Sequence, residues 1–388
     1  MKDFHEGVEE VLKLLETNVQ AWLMGAGVSF DAKIPLMYQL TERVGTLVQP
    51  PHDELLKILR EDLPTDAHIE HVLSHLGDLI AIASRGRQGK VSLGGHEFDV
   101  ASLNGLHATV IRHIAETVRY GYKSAVSDAP EEIGSLESPI VEVSHHKAFM
   151  DALFAGRANL ESRSRVVFVT TNYDTLIEDA LSLSRRRVFD GFSNGGIGYW
   201  TGHRTEDAES LPPRSHQVIK LHGSVDWLRA QDGTLVRARY GTNYLSKLED
   251  TLIYPQATKY VETQKDPFAE LFGAFRRVLH SSESHVLCVV GYSFGDEHIN
   301  LEIEDALLRE GNKTNVIAFV REVGSSGVSK LPDRLEAWQS APFKSRIYVA
   351  TDKALYAGGK RLVDDSAANL PWWTFGGLTS FLKTGAIK

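Results

Sequence analysis

The chain has 388 residues, of which 42% are hydrophobic and 24% charged, and a single cysteine, Cys288. These fractions are those of a globular protein long enough to bury a core, and one cysteine excludes both an intramolecular disulfide and a four-cysteine zinc site. The net charge of −9 disfavours direct, sequence-specific nucleic-acid binding by this chain, because phosphate neutralisation requires Lys and Arg.

The N-terminal segment predicts an amphipathic helix, whose apolar face comprises Phe4, Val8, Val11, Leu12 and Leu15. Acidic residues interrupt its apolar positions, which does not fit a signal peptide. No run of 18 or more apolar residues occurs, so we predict no membrane span. With one cysteine, an oxidising compartment is not required, and we expect a cytoplasmic protein.

Six short apolar runs predict buried strands, and helical patterns lie between many of them. The runs are 20–24, 166–170, 217–221, 286–290, 316–320 and 347–350. Continuous apolar runs of this length are typical of parallel strands covered on both faces. The sequence therefore predicts an α/β fold: a doubly wound, mostly parallel, Rossmann-like sheet of about six strands.

The first strand is separated from the second by a long segment with helical periodicity. We therefore predict a single domain with a Rossmann-like core at 1–48 and 160–330 and a helical insertion at 49–159. Residues 331–388 would supply a C-terminal strand and an aromatic tail.

The aromatic tail and two loops complete this organisation. Trp372, Trp373 and Phe375 either pack back onto their own domain or contact an oligomer or partner, as aromatic clusters often do. Residues 86–98 and 191–216 are predicted as loops from their Gly, Pro and Ser content.

The first run leads directly into Gly25-Ala26-Gly27-Val28-Ser29. Glycines permit close approach of a ligand, and a following helix start would offer free amides to a phosphate. The dinucleotide fingerprint needs a third glycine, where this chain has Phe30, so a dehydrogenase-type site is disfavoured. A purely structural turn is the alternative.

Polar residues also follow the second predicted strand. Thr171, Asn172 and Asp174 come at its carboxyl end, where doubly wound sheets bind ligands. The alternative is a helix N-cap, and both roles are compatible.

Two later strand ends carry candidates as well. His222 with Gly223 offers a general base that can be tuned near neutral pH, against the alternative of an ordinary loop histidine. Gly291 and Ser293 could contact an adenosine or a phosphate, although a plain turn explains them equally well.

The series GAGVS, TTNYD, LHG and VGYSF resembles the sirtuin family, in particular the bacterial sirtuin-like NAD-consuming proteins of antiphage defence. The chain departs from the protein-deacylating members in two respects. Residues 224–285 contain no cysteine for the zinc ribbon, and Leu36-Met37-Tyr38 replaces their acidic-aromatic-arginine run. Both departures are typical of the zinc-less defence branch.

The resemblance implies a role for each matching residue, with NAD as the substrate. Asn172 would position the water and the ribose hydroxyls, Asp174 would hold the nicotinamide carboxamide, and His222 would be the general base. The cofactor-binding set would comprise Gly25, Ala26, Gly27 and Ser29 at the pyrophosphate, Thr171 beside them, and Gly291 and Ser293 at the adenosine side.

The expected activity is NAD hydrolysis to ADP-ribose and nicotinamide, in abortive-infection defence. The resemblance further implies a homo-oligomer and pairing with a HerA-like DNA-translocating ATPase. One alternative is a protein deacylase or ADP-ribosyltransferase, and another is a non-enzymatic module that binds NAD or ADP-ribose and acts through assembly.

No zinc is expected. We assign no metal to His68, His71 and His75, although they share a helix face.

Overall fold

The computed structural model describes most of the chain. The described residues are 3–17, 19–125, 129–155, 165–193, 195–203, 212, 214–230, 233–239, 249–253, 267–280, 285–325, 328–364 and 369–387.

Helices and strands alternate along the described residues. The helices are α1 (Phe4–Leu14), α2 (Met37–Leu47), α3 (Asp53–Glu61), α4 (Ile69–Arg85), α5 (Val100–Tyr120), α6 (Ser144–Ala155), α7 (Leu176–Leu183), α8 (Phe268–Leu279), α9 (Glu297–Leu308), α10 (Asp333–Trp338) and α11 (Phe375–Thr384). The strands are β1 (Val19–Met24), β2 (Lys90–Leu93), β3 (His96–Asp99), β4 (Tyr122–Lys123), β5 (Glu132–Ile133), β6 (Arg165–Thr170), β7 (Arg187–Phe189), β8 (Ile197–Tyr199), β9 (Ser215–Lys220), β10 (Gly223–Arg229), β11 (Leu235–Ala238), β12 (Glu249–Ile253), β13 (Val286–Val290), β14 (Asn315–Phe319), β15 (Val323–Ser325), β16 (Val328–Lys330), β17 (Ile347–Ala350), β18 (Leu355–Ala357) and β19 (Lys360–Leu362).

One large sheet organises the molecule, with strand order β19-β18-β17-β14-β13-β1-β6-β9-β7. The six predicted strands all lie in it and run parallel, and β7, β18 and β19 extend its edges. The predicted mostly parallel α/β fold is confirmed. Its strands read as continuous apolar runs because helices cover both faces, as in β13, where every residue is buried.

Cys288 lies in the middle of β13, opposite Trp22 of β1. Its side chain is fully buried in the apolar cluster on one face of the sheet, and burial raises the pKa of the thiol well above its usual value. The predicted role as a small apolar core residue fits these surroundings.

Short strands outside the main sheet were missed by the sequence prediction. The predicted loop 86–98 contains most of a β2–β3 hairpin, and 191–216 contains β8 and the start of β9, with residues 204–211 outside the described part. Strand β8 is the edge of a second, four-stranded sheet, ordered β12-β10-β11-β8. Strands of three or four residues carry too few alternations to be recognised as periodic.

Helices α3 to α6 lie within the predicted insertion. Of these, α3, α4 and α5 share a separate core with α2, whereas the buried residues of α6 pack in the cluster on the main sheet. The fully buried side chains of the separate core include Leu59, Leu76 and Leu103. Tyr173, which follows β6, and Val225 of β10 are buried in the same separate core. The insertion therefore packs directly on the carboxyl end of β6.

The two chain ends pack together on one face of the sheet. Trp372 is fully buried, and its indole Nε1 donates to the Thr351 carbonyl at 2.7 Å. Phe375 joins the same cluster, which also includes Phe4 of α1. For these residues the aromatic tail lies inside the chain's own core. No helix in the described part of the chain has the length and apolar character that crossing a membrane requires.

Candidate active site

Four neighbouring strands bring the four sequence motifs into one row. In the order β13-β1-β6-β9, Met24 pairs with both Val290 and Thr170, and Thr170 pairs with Lys220. These residues are the last of their strands, so every motif begins at the same level of the same sheet edge. The carboxyl edge of a doubly wound sheet is where such folds bind ligands.

The glycine loop after β1 is packed against the turn after β13. The Gly25 amide donates to Val290 O at 3.0 Å and the Gly27 amide to Gly291 O at 2.9 Å. A Cβ on Gly25 would lie 2.5 Å from Gly291 O, and one on Gly27 would lie 2.8 Å from Gly291 Cα. Close packing of two backbones therefore requires these glycines, whatever they bind, and both amides already have acceptors.

Asn172, Ser29 and Asp174 form a buried hydrogen-bond chain between β1 and β6. The Asn172 amide Nδ2 donates to Gly25 O and to Ser29 Oγ, both at 3.0 Å. Ser29 Oγ donates to Asp174 Oδ2 at 2.8 Å. Residues 145 positions apart thus meet in one polar cluster, in which Asn172 is 8% and Asp174 6% exposed.

Asp174 also has a structural role at the start of α7, although the N-cap itself is Thr175, whose side chain makes no capping bond. Asp174 Oδ1 accepts the Leu176 amide at 3.0 Å, at the first residue of α7. One carboxylate oxygen therefore fixes the helix start while the other receives the Ser29 hydroxyl. The role at the helix start and the role in the site are compatible in this geometry.

His222 lies just past β9 and is 5% exposed. Its Nε2 is 3.1 Å from Asp296 Oδ2. Asp296 is the N-cap of α9, where its Oδ1 accepts the Ile299 amide at 3.4 Å. A carboxylate beside an imidazole holds the orientation of the ring, which is the arrangement that a general base needs.

Tyr292 supports the backbone of Asp296. Its hydroxyl donates to Asp296 O at 3.1 Å and lies 3.3 Å from Asn300 Oδ1. Burial first, and then the Asp296 charge, raises the pKa of Tyr292, so the phenol keeps its proton.

Tyr173 connects the site to the helical insertion. Its hydroxyl donates to Glu70 Oε1 of α4 at 2.5 Å, and its ring lies 6.5 Å from the His222 ring. Burial and the neighbouring Glu70 raise the pKa of Tyr173 well above its usual value, so this phenol is also a permanent donor.

The remaining predicted residues lie at the edge of the cluster. Thr171 is half-buried and its amide donates to Met24 O at 3.2 Å. Ala26 and Ser293 are exposed, and Ser293 Oγ accepts the Gly295 amide at 3.3 Å. Their assigned contacts with a ligand remain predictions, as do the roles of the buried residues.

Asp296 and Lys220 lie within the sequence motifs, but sequence reasoning assigned neither of them a role in the site. Asp296 follows the VGYSF motif after Gly295 and precedes a helical pattern, which is the signature of an N-cap. Nothing local indicates a histidine as its partner. Lys220 precedes the LHG motif, and its burial becomes visible only in the assembled sheet.

The three histidines near α4 contact other side chains and one another. His75 Nε2 pairs with Asp62 at 2.9 Å, and the His68 and His71 rings lie 3.9 Å apart. Burial lowers the pKa of His68. Within the described ranges, no group of three or more His, Cys, Asp or Glu side chains is arranged to hold a metal ion.

Comparison with known families finds one match within the chain. Residues 166–343 match the family model described as SIR2-like domain. The match begins in β6, includes the motifs of Asn172, His222 and Gly291, and spans just under half of the chain.

Several solved sirtuin structures are similar to this chain at low identity. One is Sir2Tm bound to a propionylated peptide, with 12% identity, a TM-score of 0.39 and coverage of 89% of this chain and 92% of that one. Another is a Sir2–p53 peptide–NAD+ complex, with 13% identity, a TM-score of 0.38 and the same coverage. A mutant Sir2 homologue in complex with ADP-ribose has 15% identity, a TM-score of 0.35 and coverage of 82% and 86%. No curated protein matches the chain.

Proposed function

We propose that this protein is an NAD glycohydrolase that cleaves NAD to ADP-ribose and nicotinamide. The observation that carries the proposal is the row of motifs at one sheet edge, with the Asn172–Ser29–Asp174 chain next to the His222–Asp296 pair. The SIR2-like match, which includes Asn172, Asp174 and His222 but not Ser29, supports NAD as the substrate.

The reaction requires a positioned water and a poised base. The bond between the ribose anomeric carbon and the nicotinamide nitrogen breaks through an oxocarbenium-like state, and the nitrogen keeps the electron pair, so the pyridinium leaves as neutral nicotinamide. The water oxygen adds to the anomeric carbon, and one water proton passes to His222 and then to solvent.

The buried residues suit distinct parts of this reaction. Asn172 would orient the water and the ribose hydroxyls, and Asp174 would hold the carboxamide of nicotinamide. Of the glycine-loop amides, those of Gly25 and Gly27 are already bonded to the β13 turn, so pyrophosphate binding would use the close approach that these glycines permit, together with the exposed Ala26.

The direct test is NAD consumption by the purified chain, with the products separated by chromatography. Wild type should release ADP-ribose and nicotinamide without any peptide. Asn172→Ala should lose at least about a hundredfold in turnover, because neither the attacking water nor the ribose would be held in place. Asn104→Ala, at an exposed position of α5, is the matched control and should behave as wild type.

Each other outcome of this assay points to a different function or site. Turnover by Asn172→Ala at the wild-type rate contradicts the assignment of the site. Release of nicotinamide only with an acylated peptide or a protein acceptor identifies a deacylase or ADP-ribosyltransferase. Tight NAD binding without turnover, with and without the partner described below, identifies a binding module.

We further propose that the activity serves antiphage abortive infection through NAD depletion, in the cytoplasm. The support is the sequence resemblance to defence-type sirtuins and the absence of cysteine at 224–285, where deacylases carry zinc ligands. An enzyme of this kind must be restrained at rest, so we expect a homo-oligomer whose activity depends on a HerA-like ATPase. Sedimentation with and without its genomic neighbour, followed by NAD assay of the complex, tests this arrangement.

A further inference from the structure

A fully buried lysine lies directly behind the candidate site. Lys220 is the last residue of β9 and is 0% exposed. Lysine is almost never fully buried unless its charge is paired. Its Nζ donates to the backbone carbonyl of Asp174 and lies 3.3 Å from Glu178 Oε1 in α7.

The position of Lys220 links two segments of the site. It pairs in register with Thr170, the last residue of β6, and lies two positions before His222. Its amine spans from β9 to the residues that start α7, namely Asp174 and Glu178. The Asp174 backbone is therefore fixed relative to the strand that carries His222.

Further hydrogen bonds from the residues after His222 hold the loop that contains Tyr173 and Asp174. The Val225 amide donates to Tyr173 O at 2.9 Å, and Ser224 Oγ donates to it at 3.2 Å. The carbonyls of Tyr173 and Asp174 are thus both bound by residues flanking His222. Only the bond from Lys220 depends on a charged side chain.

The ion pair has a high cost in this environment. Burial raises the pKa of Glu178, and the charges of Lys220 and Arg239 oppose that rise. Glu178 Oε2 has no hydrogen-bond partner among the described residues. A buried pair of this kind is generally no more stable than two apolar side chains of similar volume, so stability alone does not account for it.

We propose that Lys220 is a positioning residue, whose bond to the Asp174 carbonyl sets the place of the Asp174 carboxylate relative to His222. The effect on turnover rests on the proposed NAD hydrolysis, whereas the effect on the loop does not. Lys220 acts through Asp174 and is not itself expected to contact substrate.

The key variant replaces the whole pair, Lys220→Met with Glu178→Met. Removing both charges avoids leaving either one buried alone, so the melting temperature should stay close to that of wild type, whereas Lys220→Met alone should lower it. In the double variant, kcat/KM for NAD should fall by about ten- to a hundredfold through misplacement of Asp174.

Ligand binding separates positioning from general damage. The inhibition constant of nicotinamide, the product that Asp174 would hold, should rise with the loss in kcat/KM. The Kd of ADP-ribose should rise less than this inhibition constant, since ADP-ribose lacks the nicotinamide group and would meet the 171–178 loop only through its ribose and pyrophosphate. A merely structural defect would weaken both ligands to the same extent.

Hydrogen exchange tests the inference independently of any activity. The Leu176 amide, which donates to Asp174 Oδ1 at 3.0 Å, should exchange faster in the double variant, as should its neighbours at 171–178. The matched control is Asp190→Met with Arg237→Met, a second ion pair in which Asp190 is buried and Arg237 half-buried, and whose side chains bond to the backbone of Phe192 and Ser193. This control should leave exchange at 171–178 unchanged.

The results separate this inference from the proposed function. If wild type does not consume NAD alone or with its partner, the proposed function is wrong, and exchange at 171–178 still decides the role of Lys220. A double variant with wild-type melting temperature, exchange and kcat/KM overturns the inference. Should the Met pair not fold, Lys220→Gln with Glu178→Gln gives neutral polar side chains and the same comparison.

Discussion

At the scale of single residues, the glycine loop has no space for a side chain. Gly25 and Gly27 face Gly291, whose own φ of 63° lies in the left-handed region. The three glycines let two loops from neighbouring strands touch through their backbones. This packing alone requires glycine at each position, independently of the ligand role assigned to the loop.

Gly25→Ala should destabilise the protein by about 1–3 kcal/mol or more, because its Cβ would lie 2.5 Å from Gly291 O. Denaturant unfolding measures the change. The control is Gly77→Ala in α4, where a Cβ meets nothing within 4 Å and helix propensity should add up to about 1 kcal/mol of stability. Equal stability of the two variants would contradict the packing role.

Asp296 also has two separable roles at this scale. Asp296→Asn keeps a side chain able to cap α9 but removes the charge beside His222 Nε2. We expect near-wild-type stability and a loss of at least about tenfold in kcat, as the imidazolium loses its counter-charge. Asp296→Ala should additionally lose about 1 kcal/mol of stability with the cap. Unchanged kcat in Asp296→Asn would show that His222 does not depend on this carboxylate.

At the scale of elements, the insertion is attached to the site through α4. Glu70 in the first turn of α4 accepts the Tyr173 hydroxyl, and Tyr173 lies between Asn172 and Asp174 in the chain. A shift of α4 relative to β6 would therefore move Tyr173, and with it the neighbouring Asn172 and Asp174.

Tyr173→Phe should cost about 1.5–3 kcal/mol of stability, because a hydrogen bond to a carboxylate is lost. It should also lower NAD turnover severalfold. Tyr348→Phe is the matched control, since the Tyr348 hydroxyl donates to Glu10 of α1 at 3.0 Å. The control should lose stability but keep turnover. Equal turnover in the two variants would show that the contact between the insertion and Tyr173 does not affect the site.

At the scale of the whole molecule, buried histidines make the fold sensitive to acid. Burial lowers the pKa of His146 to about 4, of His203 to about 3 and of His216 to about 4. The unfolded state takes up protons near the ordinary pKa of about 6.5, before the folded state does. Stability from these groups is therefore complete above that pH and is lost as the pH falls toward 4.

His146 allows this prediction to be tested alone, because both of its ring nitrogens are buried and neither has a hydrogen-bond partner among the residues that the structure describes. From pH 7 to pH 4, the free energy of unfolding of His146→Leu should fall by about 3 kcal/mol less than that of wild type. Urea unfolding across this range measures the difference. At pH 8 the imidazole is neutral in both states, so only packing should distinguish the proteins. If the free energy of unfolding of the two proteins changed equally with pH, His146 would not be the buried neutral group that this prediction requires.

The sequence by itself determined the local features of this protein. The six parallel strands, the amphipathic first helix and the four motifs at strand ends are encoded by features of neighbouring residues, namely periodicity, continuous apolar runs, glycines and caps. The fold class and the candidate residues Asn172, Asp174 and His222 could therefore be predicted, since each motif follows a recognisable strand.

Only the tertiary structure decided which of these features meet. The strand order β13-β1-β6-β9 does not follow the chain, and pairing across it joins Ser29 to Asp174 and His222 to Asp296. Burial of Lys220, the connection of α4 to Tyr173 and the placement of Trp372 in the core depend on the same long-range packing. Such contacts join residues that are distant in sequence, so no local pattern records them, and the assembled sheet alone places them side by side.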